Sequence, residues 1–237
     1  NGVIINRRLY AGNIHYFDDT IPYSKNSDDR ITSYPDRIVF SPINRFDILP
    51  TDNVFEIAKN DGQEIVKLES FGNALLVFKT SDIFVLDVTT EDAILTNTLY
   101  GKGITKPSHV CKSDNYIFFM NKGGVYAFNG ESLENLIKDK IDIKLFSESI
   151  YTDNNRLLYD PQQNLLIITT SYAYRAAQVD GYTNRALIIN VSNGSVFYKN
   201  NISSDGISKI SNQILVDGEL YCTASSTGSN ESFTSVK

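Results

Sequence analysis

Tryptophan is absent from this chain, methionine occurs once, and only two cysteines and two histidines stand among its 237 residues. Each scarcity closes a class of protein. Cys111 and Cys222 are too few for a scaffold built on disulfides, although a single bridge between them stays open. With His15 and His109 as the only histidines, a metal centre or a histidine-based catalytic set has little to draw on. No apolar run approaches the roughly 18 residues that cross a bilayer as a helix, and residues 1–8 lack the apolar stretch of a secretory signal. The first residue is not methionine, which leaves open a processed product or a piece of a longer protein. Basic residues are outnumbered, 22 against 28 acidic ones, and the net charge of −6 argues against gripping nucleic acid through bulk phosphate neutralisation.

What is present points to strands. Fourteen Tyr and thirteen Phe favour pleated structure, and a hairpin unit returns along the chain: a turn residue, a run of apolar residues, a tight polar turn, a second apolar run. It reads as Asn73 with Ala74 to Phe78 and Ile83 to Leu86, then as Asn115 with Tyr116 to Met120 and Val125 to Phe128. Fainter copies start at Asn164 and Gly218, so the leading turn residues recur after 42, 49 and 54 positions. Propeller blades repeat at roughly 40 to 50 residues. The runs are apolar at consecutive positions, which requires both strand faces to be covered, as in a blade packed between two neighbours. The expected fold is therefore all-β: a β-propeller or partial propeller of antiparallel blades with little helix.

The chain divides into a strand-and-loop lead-in over residues 1–60, with one irregular blade and Pro22, Pro35, Pro42 and Pro50 as punctuation; blades over 61–224; and a polar loop or frayed end over 225–237. Three or four such units are too few to close a ring unaided, which fits a fragment of a longer chain. Ile65 to Leu68 reads as an outermost or linking strand. Residues 132–150 carry both a helical stripe and a period of two, and the expectation is a short helical turn, capped by Ser132, followed by a strand.

No constellation carries catalysis. His109 and Cys111 fall two apart on an expected strand and would share a face, yet no third ligand is near in sequence. Asp18, Asp19, Asp28 and Asp29 read as turn formers, and the glycines form neither a P-loop nor a dinucleotide fingerprint. Asn190, Asn193, Asn201 and Asn230 head Asn-x-Ser triplets that matter only in a glycosylating compartment. No catalytic residue, metal, cofactor or small-molecule substrate is expected. One segment stands out: the insertion 171–185, where Tyr172, Tyr174, Arg175, Tyr182 and Arg185 combine residue types enriched at binding hot spots and form a candidate interface loop.

The order of motifs over residues 7–130 resembles the propeller-bearing tail proteins of short-tailed bacteriophages, the tail tubular protein B, nozzle or tail-hub stabilisation family. The likeness rests on Arg8-Leu9-Tyr10-Ala11-Gly12-Asn13, on Asp36-Arg37-Ile38-Val39-Phe40-Ser41 leading into Phe46-Asp47, on Asn60-Asp61-Gly62 with Ile65, Leu68, Phe71 and Leu75-Leu76-Val77-Phe78-Lys79, and on Gly123-Gly124-Val125-Tyr126-Ala127-Phe128-Asn129-Gly130. The resemblance implies a structural virion protein, made in the host cytoplasm. Its copies would form an oligomeric ring below the portal and adaptor, with a part in assembly, in gating the DNA channel and in DNA ejection. Its partners would be further copies of itself, adjoining tail and adaptor proteins, and passing DNA read without sequence specificity. The rivals are a carbohydrate-binding or glycan-cleaving propeller, which the absence of Trp disfavours, and a cellular interaction scaffold of the kelch or WD-repeat kind, whose signatures are missing.

Overall fold

The computed structural model describes residues 1–17, 31–90, 92–171, 184–200, 209–216, 219–225 and 231–236. Among these, the strands form five antiparallel sheets, four of four strands and one of three, each ordered as in sequence. They fall into two compact units, Asn1–Pro107 and Ser108–Lys237.

In the first unit, blade I holds β1 (Gly2–Ile5), β2 (Arg8–Phe17), β3 (Ile31–Phe40) and β4 (Val54–Glu56). The irregular blade expected within the lead-in is thus a four-stranded sheet, bulged in β2. Its first turn escaped notice because it lacks glycine: Asn6 and Arg7 both take positive φ, 49° and 62°, and join Ile5 to Arg8 as a two-residue hairpin whose handedness suits twisted strands. A bulge at Asn13, φ 57°, bends β2, and the Asn13 amide donates to the Ile65 carbonyl at 3.2 Å. Blade II holds β5 (Ile65–Phe71), β6 (Ala74–Lys79), β7 (Ile83–Asp87) and β8 (Ile94–Leu99). Leu75, Val77, Phe84 and Leu86 join Ile5, Tyr10, Ile38, Ile65 and Leu68 in the core between the two blades. On the alternate positions, Leu76, Phe78 and Ile83 are fully buried as well, so the consecutive apolar runs have the two covered faces they demand. β5 stands where an outermost or linking strand was expected, at the edge of its sheet. It is the buried edge of its blade, packed on β1, β2 and β3, while β8 is the exposed edge.

In the second unit, blade III holds β9 (Val110–Lys112), β10 (Ile117–Asn121), β11 (Gly124–Phe128) and β12 (Leu133–Asn135). The β10–β11 hairpin matches its expected register, Ile117 opposite Phe128 and Asn121 opposite Gly124. Of the three residues expected to supply positive φ there, Gly124 alone does, at 143°; Asn121 instead accepts the Gly123 N–H with its side chain at 2.8 Å. The ambiguous segment 132–150 runs in the opposite order from the expected one. Leu133–Asn135 pairs with β11 first, and the helix follows as α1 (Ile143–Leu145) and a π turn over Phe146–Ile150. The cap is Asp142, whose carboxylate accepts the Leu145 N–H at 2.9 Å. Blade IV holds β13 (Arg156–Asp160), β14 (Leu165–Ser171), β15 (Asn184–Asn190) and β16 (Val196–Asn200), and shares with blade III a core of Phe118, Met120, Phe146, Leu166, Ile168, Leu187 and Ile189. Sheet V holds β17 (Lys209–Val216), β18 (Glu219–Ser225) and β19 (Glu231–Val236). β19 replaces part of the polar end expected over 225–237, its backbone pairing with β18 from Glu231 opposite Ser225 to Val236 opposite Leu220.

Candidate functional site

Two arrangements gather chemically capable side chains. The first is a buried ion cluster in the first unit. Lys79, at the end of β6, has no exposed surface; its ammonium donates to Asp36 Oδ1 and Asp61 Oδ1, both at 2.8 Å, and to the carbonyls of Ile57 and Ala58 at 3.1 and 3.3 Å. The carboxylates are themselves held, Asp36 Oδ2 by the Asn60 N–H and Asp61 Oδ1 by the Gln63 N–H, each at 2.9 Å. A nucleophilic lysine needs a neutral amine in an apolar pocket. This one is held by two carboxylates and two carbonyls, so its part is that of a lock joining β3, the loop 57–61 and β6.

The second is a groove of 610 Å³ in the second unit, at one end of blades III and IV. Segment 112–116 between β9 and β10 forms one wall; Tyr159, Pro161 and Asn164 about the β13–β14 turn, with Val191 and Ser192 after β15, form the other. Its two aromatic lining residues, Tyr116 and Tyr159, pack against the core of the unit. Buried Phe118 stacks on Tyr116, with ring centroids 5.7 Å apart, and lies 5.2 Å from Tyr159. The Tyr159 hydroxyl donates to the Asn164 side-chain oxygen. Asn164 takes φ 56°, and its carbonyl accepts the Val191 N–H at 2.9 Å, which ties the two loops of blade IV together. Opposite, the Ser113 hydroxyl accepts the Tyr116 N–H at 3.1 Å and the Ser113 N–H donates to the Tyr116 carbonyl at 2.8 Å. Burial pushes the Tyr159 phenol up from its ordinary pKa, and the nearby charges of Asp160 and Asp114 add to the rise.

Among the sequence candidates, residues 172–183 lie outside the described residues, so Tyr172, Tyr174, Arg175 and Tyr182 have no placement. Arg185 stands in β15 opposite Thr170 and Asn200, its side chain likewise outside. The insertion joins the ends of β14 and β15 beyond the pair Ser171 and Asn184. His109 ends a 3-10 turn (Pro107–His109) instead of lying in the strand with Cys111; its ring is buried edge-on to Tyr151, with centroids 5.4 Å apart. His15 is exposed, with Nδ1 2.9 Å from the Ser33 hydroxyl. Among the described residues no three His, Cys, Asp or Glu side chains are grouped to hold a metal ion. Asp18, Asp19, Asp28, Asp29, Asn201, Asn230 and the Cys222 side chain fall outside the described residues. Neither the lysine lock nor the groove was anticipated as a site. Asp36, Asp61 and Lys79 each lay in the motifs, but their meeting depends on long-range packing.

Five blade-like antiparallel sheets, with central strands buried on both faces in blades II, III and IV, define an all-β fold of the propeller type. No protein-family model matches the chain, and no curated protein is similar to it in sequence. Solved structures of propeller-like fold are similar to it. A chain of the S. cerevisiae complex of Dbp5 bound to Nup159, Gle1, IP6 and ADP matches with a TM-score of 0.50 at 10% identity, covering 99% of this chain and 59% of that one. A chain of the mitotic checkpoint complex matches with 0.53 at 13%, covering 98% and 69%. The extracellular domain of a one-component system from B. thetaiotaomicron matches with 0.50 at 14%, covering 94% and 25%. This chain thus spans less than two thirds of the first and only a quarter of the third. At such identities the likeness concerns the fold alone.

Proposed function

We propose that this chain is a non-enzymatic structural component of a short-tailed bacteriophage tail, of the nozzle or tail-hub kind, working as part of an oligomeric ring through which DNA leaves. The observation that carries the reading is the order of motifs over residues 7–130. The way the motifs are used supports it: Asp36, Asp61 and Lys79, three of their charged residues, meet in a buried lock between two blades, which gives the rigidity a ring subunit needs. The loop after β3 adds a surface for neighbours. Ile43, Phe46, Ile48 and Leu49 are exposed within seven residues, and the loop is held in place by the Asn44 N–H donating to the Arg7 carbonyl at 2.8 Å. The test is the mass of the full-length protein in solution by light scattering, electron micrographs of the assembly, and gold-labelled antibody on virions of its source. The expected result is a ring and a label at the tail; a stable monomer whose source yields no particle carrying it overturns the proposal.

A further inference from the structure

We infer that the groove at the end of blades III and IV is a binding site for neutral saccharide. This goes beyond the tail assignment and does not rest on it. Three properties of the groove select the ligand. Its lining includes two aromatic side chains, Tyr116 and Tyr159, both half-buried and in ring contact with Phe118, so that a flat apolar ligand face stacking on them needs little new ordering of the rings. Its rim offers hydrogen-bonding groups of both kinds: the hydroxyls of Tyr159 and Ser192 and the amides of Asn115 and Asn164. Among the described residues no hydrogen bond engages the side chains of Asn115 and Ser192, and Asn164 uses its oxygen on Tyr159, which leaves its amide nitrogen as a donor. A sugar ring presents this same combination, an apolar face of C–H groups and an equator of hydroxyls.

Charge decides against the other ligands that stack on tyrosine. Lys112 is the one cation in the lining and Asp114 the one carboxylate, so the lining is neutral. Asp160, buried behind Tyr159 with its carboxylate accepting the Gln162 N–H at 2.9 Å, adds negative potential. A nucleotide or another anionic ligand meets no basic cluster there. The volume lies within the roughly 300–1,000 Å³ of small-ligand sites, and the walls are preformed by the turns at Ser113 and Asn164. A single lining carboxylate also separates binding from cleavage, because glycoside hydrolysis takes a pair flanking the scissile bond. The site holds saccharide and leaves it intact.

The test is titration of the purified full chain with neutral N-acetylglucosamine and glucose oligomers, followed by calorimetry and by saturation-transfer NMR. Sulfated oligomers of equal length and a single-stranded oligonucleotide serve as anionic probes. The expected result is saturable binding of a neutral oligomer with transfer to the sugar C–H protons. Affinity should fall at least tenfold in Tyr116→Ala and severalfold in Asn115→Ala, an exposed substitution that spares the fold, with unchanged circular dichroism and melting in the latter. Absence of binding to both neutral series, tighter binding of the anionic probes, binding indifferent to Asn115→Ala and Tyr116→Ala, or release of reducing ends would each overturn the inference. None of these outcomes depends on whether the protein forms rings, so failure here and failure of the tail assignment are told apart.

Discussion

At the scale of single residues, the motifs prove to be about stability. Lys79 is surrounded by two carboxylates and two carbonyls with no water-exposed surface, and removing one partner of such a cluster leaves charge buried without compensation. Lys79→Met is therefore expected to cost about 3–5 kcal/mol, measured by urea unfolding. Adding Asp36→Asn and Asp61→Asn to the same variant should recover a large part of the loss, because the uncompensated charge goes with them. A loss below about 1 kcal/mol for Lys79→Met, the size of an exposed pair, contradicts the lock. A second residue gives stability a pH dependence. The Glu56 carboxyl lies below its ordinary range because the Lys59 ammonium, first, and the Arg37 guanidinium hydrogen-bond to it, the latter also stacked 3.6 Å over the Tyr34 ring. A carboxylate with a depressed folded pKa stabilises the fold above its unfolded pKa of about 4.3 and loses that contribution as pH falls through the folded value. The stability difference between the natural protein and Glu56→Gln should accordingly be present at neutral pH and vanish in strong acid. A difference that grows on acidification would refute the assignment.

At the scale of elements, what was legible in the sequence followed from periodicity, and what was not followed from turns and long-range contacts. β6, β7, β10 and β11 were readable because consecutive apolar residues have few alternatives once tight turns bracket them. Blade I was legible only as one irregular blade: its Asn-Arg hairpin carries no glycine, and β4, three residues long, has no pattern of its own. The order of strand and helix in 132–150 was hidden for a different reason, since Leu136 and Ile137 enter the core of the second unit from the turn after β12 and Phe146 from the π turn, which no single period describes. A constraint of the same long-range sort operates at Gly103. This residue adds itself to the end of the β6–β7 hairpin, with its N–H on the Ser81 carbonyl at 2.7 Å and the next N–H, of Ile104, on the Lys79 carbonyl at 3.0 Å. A Cβ there would stand 2.4 Å from Ser81 backbone atoms. Neighbouring backbone cannot swing aside as a side chain would, so Gly103→Ala is expected to cost about 1–3 kcal/mol, the range for overpacking. Thermal melting checks this, with Gly62→Ala as the contrast: Gly62 has open space around it, and any loss there comes from its φ of 78° alone.

At the scale of the whole molecule, fold and surface speak to different questions. The doubly covered strands explain why the fold class could be read from sequence, whereas the groove could not, because its walls come from three loops whose residues look like ordinary turns one at a time. The apolar loop after β3 occupies a middle position, since Phe46 and Asp47 belonged to the motif while its exposure emerged only with the structure. Ile43, Phe46, Ile48 and Leu49 are 46%, 43%, 37% and 45% exposed, and the one ion pair beside them, Arg45 with Asp47 at 3.8 Å, is itself exposed and contributes little. A large aromatic held on an anchored loop is the residue type that dominates interface energetics once desolvated, so under the ring proposal this loop carries the contact between copies. The double variant Phe46→Ser with Leu49→Ser is expected to melt within a few degrees of the natural protein when both are compared as monomers, because surface positions away from packing change stability by about 0.5 kcal/mol or less. Its mass by light scattering should drop from oligomer to monomer at concentrations where the natural protein stays assembled. An assembly of unchanged mass would remove the loop from the interface, and a large loss of melting temperature in the monomer would show that these side chains are part of the fold instead of its surface.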